Sequence, residues 1–327
     1  MTTTPKNLLV LDRAALAQAS WSPAEVIGVI ESAYKALGEG RSDNPGKLMS
    51  KAADGHSVAY AMLGRDGGNG TVGFKTSYKY DPAHDRANQH YYTTLTLYDD
   101  QTGLPLALMD CSLVGALRTP AVSALLARAT APHARTALIV GTGTQGRYAL
   151  PFLLAALPKL ERLIVHGHHP DGIAAVREML QTHCPGRSIE LSRDVHAAAR
   201  EADLILGVAG PGCKDSVQIG DTAPGSTTIL VGYGLDAGLL HKADYRIATN
   251  EEQMRTTGVD LVDANGQLPP VDAELPDILL GRKPARRNPE ERVFAYNSGM
   301  VITDLALGRL LAERARAQGL GREVTLW

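Results

Sequence analysis

The stretch Thr136-Ala-Leu-Ile-Val140-Gly141-Thr142-Gly143-Thr144-Gln145-Gly146 decides the fold. Thr136–Val140 reads as a short buried strand that runs directly into a GxGxxG turn and then into an apolar stretch. In that context each glycine has its own task. Gly141 permits the tight turn, Gly143 lets backbone N–H groups approach a pyrophosphate, and Gly146 lets the following helix pack closely on the strand. The helix N-terminus adds a partial positive charge. Residues Gly141 to Gly146, with Thr142, Thr144 and Gln145 between the glycines, are therefore assigned to the phosphates of a dinucleotide. Pro151 sits awkwardly, because inside a helix it removes a hydrogen bond and kinks or shortens the element.

Downstream of the turn, short apolar strands alternate with helical stretches. The strands are expected at Arg162–His166, Ser188–Leu191, Leu204–Val208, Thr227–Val231 and Tyr245–Ala248, a rhythm that argues for a parallel sheet covered by helices. Upstream the texture differs. Ser22-Pro23-Ala24-Glu25 opens a helix as a capping box, and Val26, Ile27, Ile30, Tyr34 and Leu37 carry its apolar face up to Gly38. From about residue 56 to residue 110, β-rich segments separated by Gly, Asp and Pro clusters read as a mostly antiparallel meander. A helix is expected over 119–130, and an amphipathic one over Ile302–Gln318 that returns to the first domain.

Composition bounds the function. The 327 residues suit two domains, and a net charge of −2 is too balanced for a phosphate-backbone binder. A hydrophobic share of 44% allows a large core. The longest apolar stretch, Ala149 to Leu157, is too short to span a membrane. Three widely spaced cysteines without a CxxC, and a start with no secretion signal, point to the cytoplasm. The 33 glycines exceed the usual share and include those of the turn.

The end of the second strand of the parallel sheet reports on the cofactor. A carboxylate there binds the adenosine ribose of NAD. The chain instead reads Ile164-Val165-His166-Gly167-His168-His169-Pro170-Asp171, with no acid at the tip. His166 and His168 can partner a 2′-phosphate, so NADP is favoured slightly over NAD. The same histidines lack a carboxylate or cysteine at a spacing that completes a metal shell, so no metal is expected.

Four ordered segments resemble the ornithine cyclodeaminase/μ-crystallin family. Leu108-Met-Asp110-Cys-Ser-Leu113-Val-Gly-Ala-Leu117-Arg118-Thr119-Pro-Ala121-Val-Ser123 is similar to its signature L-x-D-x-x-x-L-T-x-x-R-T-A-A-x-S. Gly73-Phe74-Lys75 resembles its G-x-K strand, Leu97 to Pro105 its L-x-D-x-x-T-G-x-P, and Asn297-Ser298-Gly299 through Asp304-Leu305 its S-x-G-x-A-x-x-D-L. The resemblance implies an α/β fold: a mixed α+β substrate and dimerisation domain (1–119 and 298–327) and a Rossmann-type NAD(P)-binding domain (120–297). It implies a homodimer. It makes Lys75 and Arg118 the catalytic and substrate-contacting pair, and sets Thr119 beside the cofactor phosphates. Arg118 can grip an α-carboxylate with its planar fork. Lys75 either bonds that carboxylate or donates a proton, the latter if burial lowers its pKa. Val208 and Tyr233, at strand ends, are assigned to the cofactor pocket.

Two departures from the family matter. Where many relatives read P-P-R, this chain has Asn44-Pro45-Gly46-Lys47, so Lys47 supplies charge to the substrate without the same bidentate geometry. Where cyclodeaminases carry a catalytic aspartate after the fifth strand, the chain runs Val231-Gly232-Tyr233-Gly234-Leu235-Asp236. Gly234 falls at the acid's place, and Asp236 reads as a helix N-cap. The reading favoured is therefore an NAD(P)H-dependent oxidoreductase that reduces an imine or keto acid beside a carboxylate, or oxidises the corresponding α-amino acid. The alternatives are an ornithine cyclodeaminase-like ammonia lyase using NAD catalytically, and a μ-crystallin-like NADPH-binding protein. Residues 77–92, with His84 and Arg86, replace a short family segment and leave the substrate side chain undecided.

Overall fold

The computed structural model describes residues 7–80 and 91–327. Within the 77–92 segment, Ser77–Tyr80 and Tyr91–Tyr92 are strand residues, because β-formers continue the pairing. His84 and Arg86 lie outside the described residues.

The chain forms two compact units: Met1–Trp21, Gly28–Arg118 and Met300–Trp327 make one, Ser22–Ile27 and Thr119–Gly299 the other. The first unit is built on a seven-stranded sheet. From one edge its strands are Arg322–Thr325, Asn7–Leu11, Pro105–Asp110, Tyr91–Asp99, Thr71–Tyr80, Ser57–Asp66 and Leu48–Lys51. The last five form an antiparallel meander, of which the four strands from Ser57 to Asp110 are the expected ones and Leu48–Lys51 is an addition. Asn7–Leu11, for which the sequence showed no signal, joins it in parallel, so the sheet is mixed.

Alternation along Thr71–Tyr80 sends Gly73, Lys75 and Ser77 to the buried face and Phe74, Thr76 and Tyr78 outward. The helix Val301–Ala317 packs on the buried face. Small residues let it sit close. A Cβ at Gly73 would meet Leu305 Cδ2 at 2.6 Å and the Thr96 carbonyl at 2.5 Å, and one at the paired Gly64 would meet Val301 Cγ1 at 2.7 Å. The Ile302 N–H donates to Asn44 Oδ1 at 3.2 Å, which ties the start of the helix to the Asn44–Lys47 loop.

The second unit holds an eight-stranded, all-parallel sheet: Ala273–Glu274, Tyr245–Ala248, Val293–Tyr296, Thr227–Leu230, Leu204–Gly207, Thr136–Val140, Arg162–His166 and Glu190–Ser192. The chain starts at Thr136–Val140, winds outward to Glu190–Ser192, then returns to Leu204–Gly207 on the other side. The order therefore reverses beside the glycine turn, and doubly wound sheets bind ligands at such a reversal, outside the carboxyl ends of the strands. Pro151 does not end the helix Thr144–Ala156, which runs through it. The helix expected at 119 starts at Ser112 and passes Pro120, so Arg118 lies within a helix rather than beside one. Its start is held by Asp110 Oδ1, which accepts from the Ser112 N–H at 2.8 Å. Among the described residues no helix is long and apolar enough to cross a membrane.

Gly73→Ala tests the close seat of the terminal helix. Its Cβ would meet a backbone oxygen that no rotamer change can move, so the variant should lose about 2 kcal/mol. Urea unfolding followed by far-UV circular dichroism reads the loss.

Candidate active site

The three turn glycines divide their work as the spacing predicts. Gly141 has φ of +114°, and a Cβ on it would lie 2.5 Å from the Ala209 nitrogen. A Cβ on Gly146 would lie 2.1 Å from the Gly141 carbonyl oxygen. A Cβ on Gly143 would meet nothing within 4 Å. The first and third glycines thus close the turn, while the second, which N-caps Thr144–Ala156, borders open space in front of the helix N-terminus. That space belongs to a cavity of about 780 Å³ lined by Gly141–Gly143, His166–His169 and the segment Ala209–Asp215. Its size, the open space at Gly143 and its place at the reversal of strand order fit a dinucleotide. Val208 is buried behind the turn, its N–H donating to the Val140 carbonyl at 2.9 Å.

At the tip of Arg162–His166 the strand itself carries no carboxylate, but the fold supplies one from a distant segment. The loop after Leu204–Gly207 brings Asp215 to both histidines. His168 Nε2 donates to Asp215 Oδ2 at 2.7 Å, and His166 Nε2 lies 3.3 Å from the same oxygen. His166 is buried and its Nδ1 donates to the Ser192 carbonyl at 3.1 Å. The His168 and His166 hydrogen bonds hold the Asp215 carboxyl below its usual range. Two imidazoles and a carboxylate within 4.8 Å of one another are also of metal-ligand type.

In the first unit the fold brings together Lys75 and Arg118, distant in sequence, through a third residue. Lys75 Nζ donates to Asp304 Oδ1 at 2.9 Å, and Arg118 Nε donates to the same oxygen at 3.3 Å. Lys75 and Asp304 are buried. Burial is the largest single influence and pulls the Lys75 ammonium down, but the charge of Asp304, the neighbouring Cys111 and the hydrogen bond to Asp304 together outweigh it, and the pKa rises above the ordinary 10.5. Of the two roles the sequence leaves open for Lys75, proton donation was conditional on a pKa lowered by burial, and that condition is not met. Burial pushes the neighbouring Cys111 thiol up to about 12, so it stays neutral. Two cations against one carboxylate leave one positive charge unmatched in this cluster. The two terminal nitrogens of Arg118 have no partner among the described residues. Ser77, two positions along the same face, keeps a buried hydroxyl without a hydrogen-bond partner there. Neither Asp304 nor Ser77 was named from the sequence as a site residue, although Asp304 stood within a quoted motif.

The remaining candidates are placed as follows. Lys47 lies over the Tyr60 ring, 5.3 Å from its centroid, and makes no ion pair with the cluster among the described residues. Tyr60 pairs with Ser77 and so faces the same side of the sheet as Lys75. Thr119 is buried, and its carbonyl accepts from Asn297 Nδ2 at 3.1 Å. Tyr233 pairs with Ala209 through its backbone, while its hydroxyl donates to Asp260 Oδ2 at 3.1 Å. Gly234 has φ of +102°, and a Cβ there would meet Val140 Cγ1 at 2.7 Å, so no acid fits that position. Asp236 caps Ala237–His241, accepting from the Gly238 N–H at 2.8 Å.

The profile of the Ornithine cyclodeaminase/mu-crystallin family matches residues 9–319, and the chain belongs to that family. It is 28% identical over 238 residues to the Delta(1)-pyrroline-2-carboxylate reductase of Bacillus cereus, an alignment covering 70% of this chain and 72% of that one. In fold it resembles the Thermococcus litoralis Delta(1)-pyrroline-2-carboxylate reductase solved with NADH and L-proline, with a TM-score of 0.81, 22% identity and coverage of 97% of this chain and 100% of that one. It also resembles an archaeal alanine dehydrogenase dimer with bound NAD, with a TM-score of 0.82, 20% identity and coverage of 98% and 100%.

Because the folded-state pKa of Lys75 lies above the ordinary value, its pairing stabilises the fold fully at neutral pH. The contribution is lost only as alkaline pH rises through that folded value. Asp304→Asn removes the attraction and leaves burial, so Lys75 should titrate below 10.5 by NMR of its side chain. The same variant should lose about 3–5 kcal/mol on chemical unfolding, because two cations lose their carboxylate.

Proposed function

We propose that the protein is an NAD(P)H-dependent oxidoreductase that reduces the C=N bond of an α-imino acid, or oxidises the matching α-amino acid. The observation that carries this reading is the Lys75–Asp304–Arg118 cluster, which holds one buried positive charge beyond what its own carboxylate matches. A substrate carboxylate supplies the missing negative charge. The names of the relatives, a C=N reductase and an amino-acid dehydrogenase, support the same chemistry.

When bound, the reduced nicotinamide supplies the hydride. The protein's own part is binding and orientation. Arg118 presents its two terminal nitrogens, without a partner among the described residues, to the carboxylate as a planar fork. Lys75, kept as an ammonium by Asp304, contributes charge and position rather than a proton, and Ser77 offers a hydroxyl. Lys47 adds positive potential from its place over Tyr60. A substrate that enters as an iminium already carries the proton its nitrogen needs. With hydride delivered to carbon, the π pair would return to nitrogen and leave a neutral amine, so no side chain here would need to give up a proton. The steric exclusion of an acid at Gly234, and the use of Asp236 as a helix cap, weigh against release of ammonia by a cyclodeaminase.

On this reading the segments 1–119 and 298–327 hold substrate, and 120–297 hold the dinucleotide at Gly141–Gly146, with Thr119, Val208 and Tyr233 beside it. The outer face of the first sheet exposes Leu48, Leu63, Phe74, Tyr78 and Tyr92, an apolar surface suited to a second copy of the chain. Three free cysteines suit a reducing cytoplasm.

A spectrophotometric screen of NADH and NADPH against cyclic imines, and against keto acids with amines, tests the activity. Stoichiometric consumption is expected; ammonia release without net change in absorbance would overturn it. Arg118→Ala should raise KM roughly 30-fold or more while dinucleotide affinity stays within a few-fold. An unchanged KM removes Arg118 from the site. Phe74→Glu should halve the mass measured by light scattering if the apolar face joins two copies.

A further inference from the structure

We infer that Asp215 is the residue that selects the dinucleotide, and that it selects NAD over NADP by accepting a hydrogen bond from the 2′-hydroxyl of the adenosine ribose. The inference rests on the proposed dinucleotide site and sharpens it.

In sheets of this kind, the ribose hydroxyl is bound by a carboxylate at the tip of the second strand. Here that strand is Arg162–His166, and its tip carries only histidines. The carboxylate comes from elsewhere: Asp215 sits against His166 and His168 although it lies 49 and 47 residues further along the chain. Both imidazoles reach the same oxygen, Oδ2. No bond reaches Oδ1 among the described residues, so that oxygen keeps its lone pairs for a donor. The loop is also fastened from within, since the Cys213 thiol donates to the Asp215 carbonyl at 3.3 Å. Asp215 lines the same cavity as Gly141 and Gly143, so one cavity offers a phosphate cradle and a ribose acceptor.

The charge at this spot decides between the cofactors. A 2′-hydroxyl donates to a carboxylate, whereas a 2′-phosphate is repelled by it. The opposing groups are His169 and Lys214, which line the cavity, and His166 and His168 themselves. The two histidines are turned onto Asp215 rather than away from it, and Lys214 is exposed with no ion pair to Asp215 among the described residues. The slight preference for NADP expected from the histidines is therefore reversed. His168, exposed at the rim, acts as a positioning residue for Asp215.

Isothermal titration of the full chain in EDTA, with NAD+, NADP+ and the 2′-deoxyadenosine analogue of NAD+, tests this. The unmodified protein should bind NAD+ about tenfold or more tighter than either other ligand, as loss of a hydrogen bond to a charged group requires. Asp215→Asn should erase the difference between NAD+ and its 2′-deoxy analogue and strengthen NADP+ about tenfold. His168→Ala, which leaves the carboxylate in place but less well held, should shift the same ratios part of the way. Circular dichroism and melting curves of both variants should match the parent, because both side chains are partly exposed. A parent that prefers NADP+, or an Asp215→Asn variant with unchanged ratios, overturns the inference and leaves the dinucleotide site standing. Loss of NAD+ binding in EDTA that zinc restores would also overturn it, making the cluster a metal site. Failure of every dinucleotide to bind overturns both this inference and the proposed function.

Discussion

One oxygen of Asp304 takes hydrogen bonds from a lysine on a strand and an arginine on a helix, and the first unit is organised around it. A carboxylate taken out of water must be paired, and so must each cation. The three groups come from residues 75, 118 and 304, so their elements must meet within hydrogen-bond distance. Gly64 and Gly73 make this possible, because any side chain on them would collide with Val301 or Leu305 of the helix that carries Asp304. Packing on the sheet and charge in the site are therefore parts of the same constraint. The carboxylate also decides what Lys75 is. Burial alone would make it a weak base able to release a proton, whereas beside Asp304 it stays an ammonium and serves as a fixed charge.

The second unit depends on a different constraint, the reversal of strand order beside Thr136–Val140. At that reversal, the connections leaving Thr136–Val140 and Leu204–Gly207 diverge, and they border the cavity between them. Gly141 and Gly146 bring the turn against Ala209 and against itself, and Gly143 leaves the helix N-terminus uncovered. The same divergence lets the loop after Leu204–Gly207 reach the tip of Arg162–His166. That is how a carboxylate absent from the strand tip is present beside it.

Much of the architecture was legible in the residues. The glycine spacing after a buried strand, the alternation of Thr71–Tyr80 and the turn chemistry of the meander are local patterns, and local patterns survive into the structure. Short elements were not legible. Asn7–Leu11 and Arg322–Thr325 are too brief to show a period, and become strands because the sheet edge offers them hydrogen bonds. The helix start at Ser112 was also not legible: the helix expected over 119–130 begins at Ser112 and runs through Pro120. In the site, Lys75 and Arg118 were found through family motifs, while Asp304 was quoted without a role. A lone aspartate on an apolar helix carries no signal of what it faces.

The sequence by itself determined a parallel sheet with a GxGxxG turn, a second β-rich unit, and the absence of an acid at Gly234, because each is written in spacing along one segment. Only the tertiary structure decided the charge state of Lys75 and the presence of a carboxylate beside the tip of Arg162–His166. Both depend on a charge delivered from a distant segment, by Asp304 in one case and Asp215 in the other. Electrostatic effects act through space over a few ångströms. Separation along the chain says nothing about such distances until the fold has closed them.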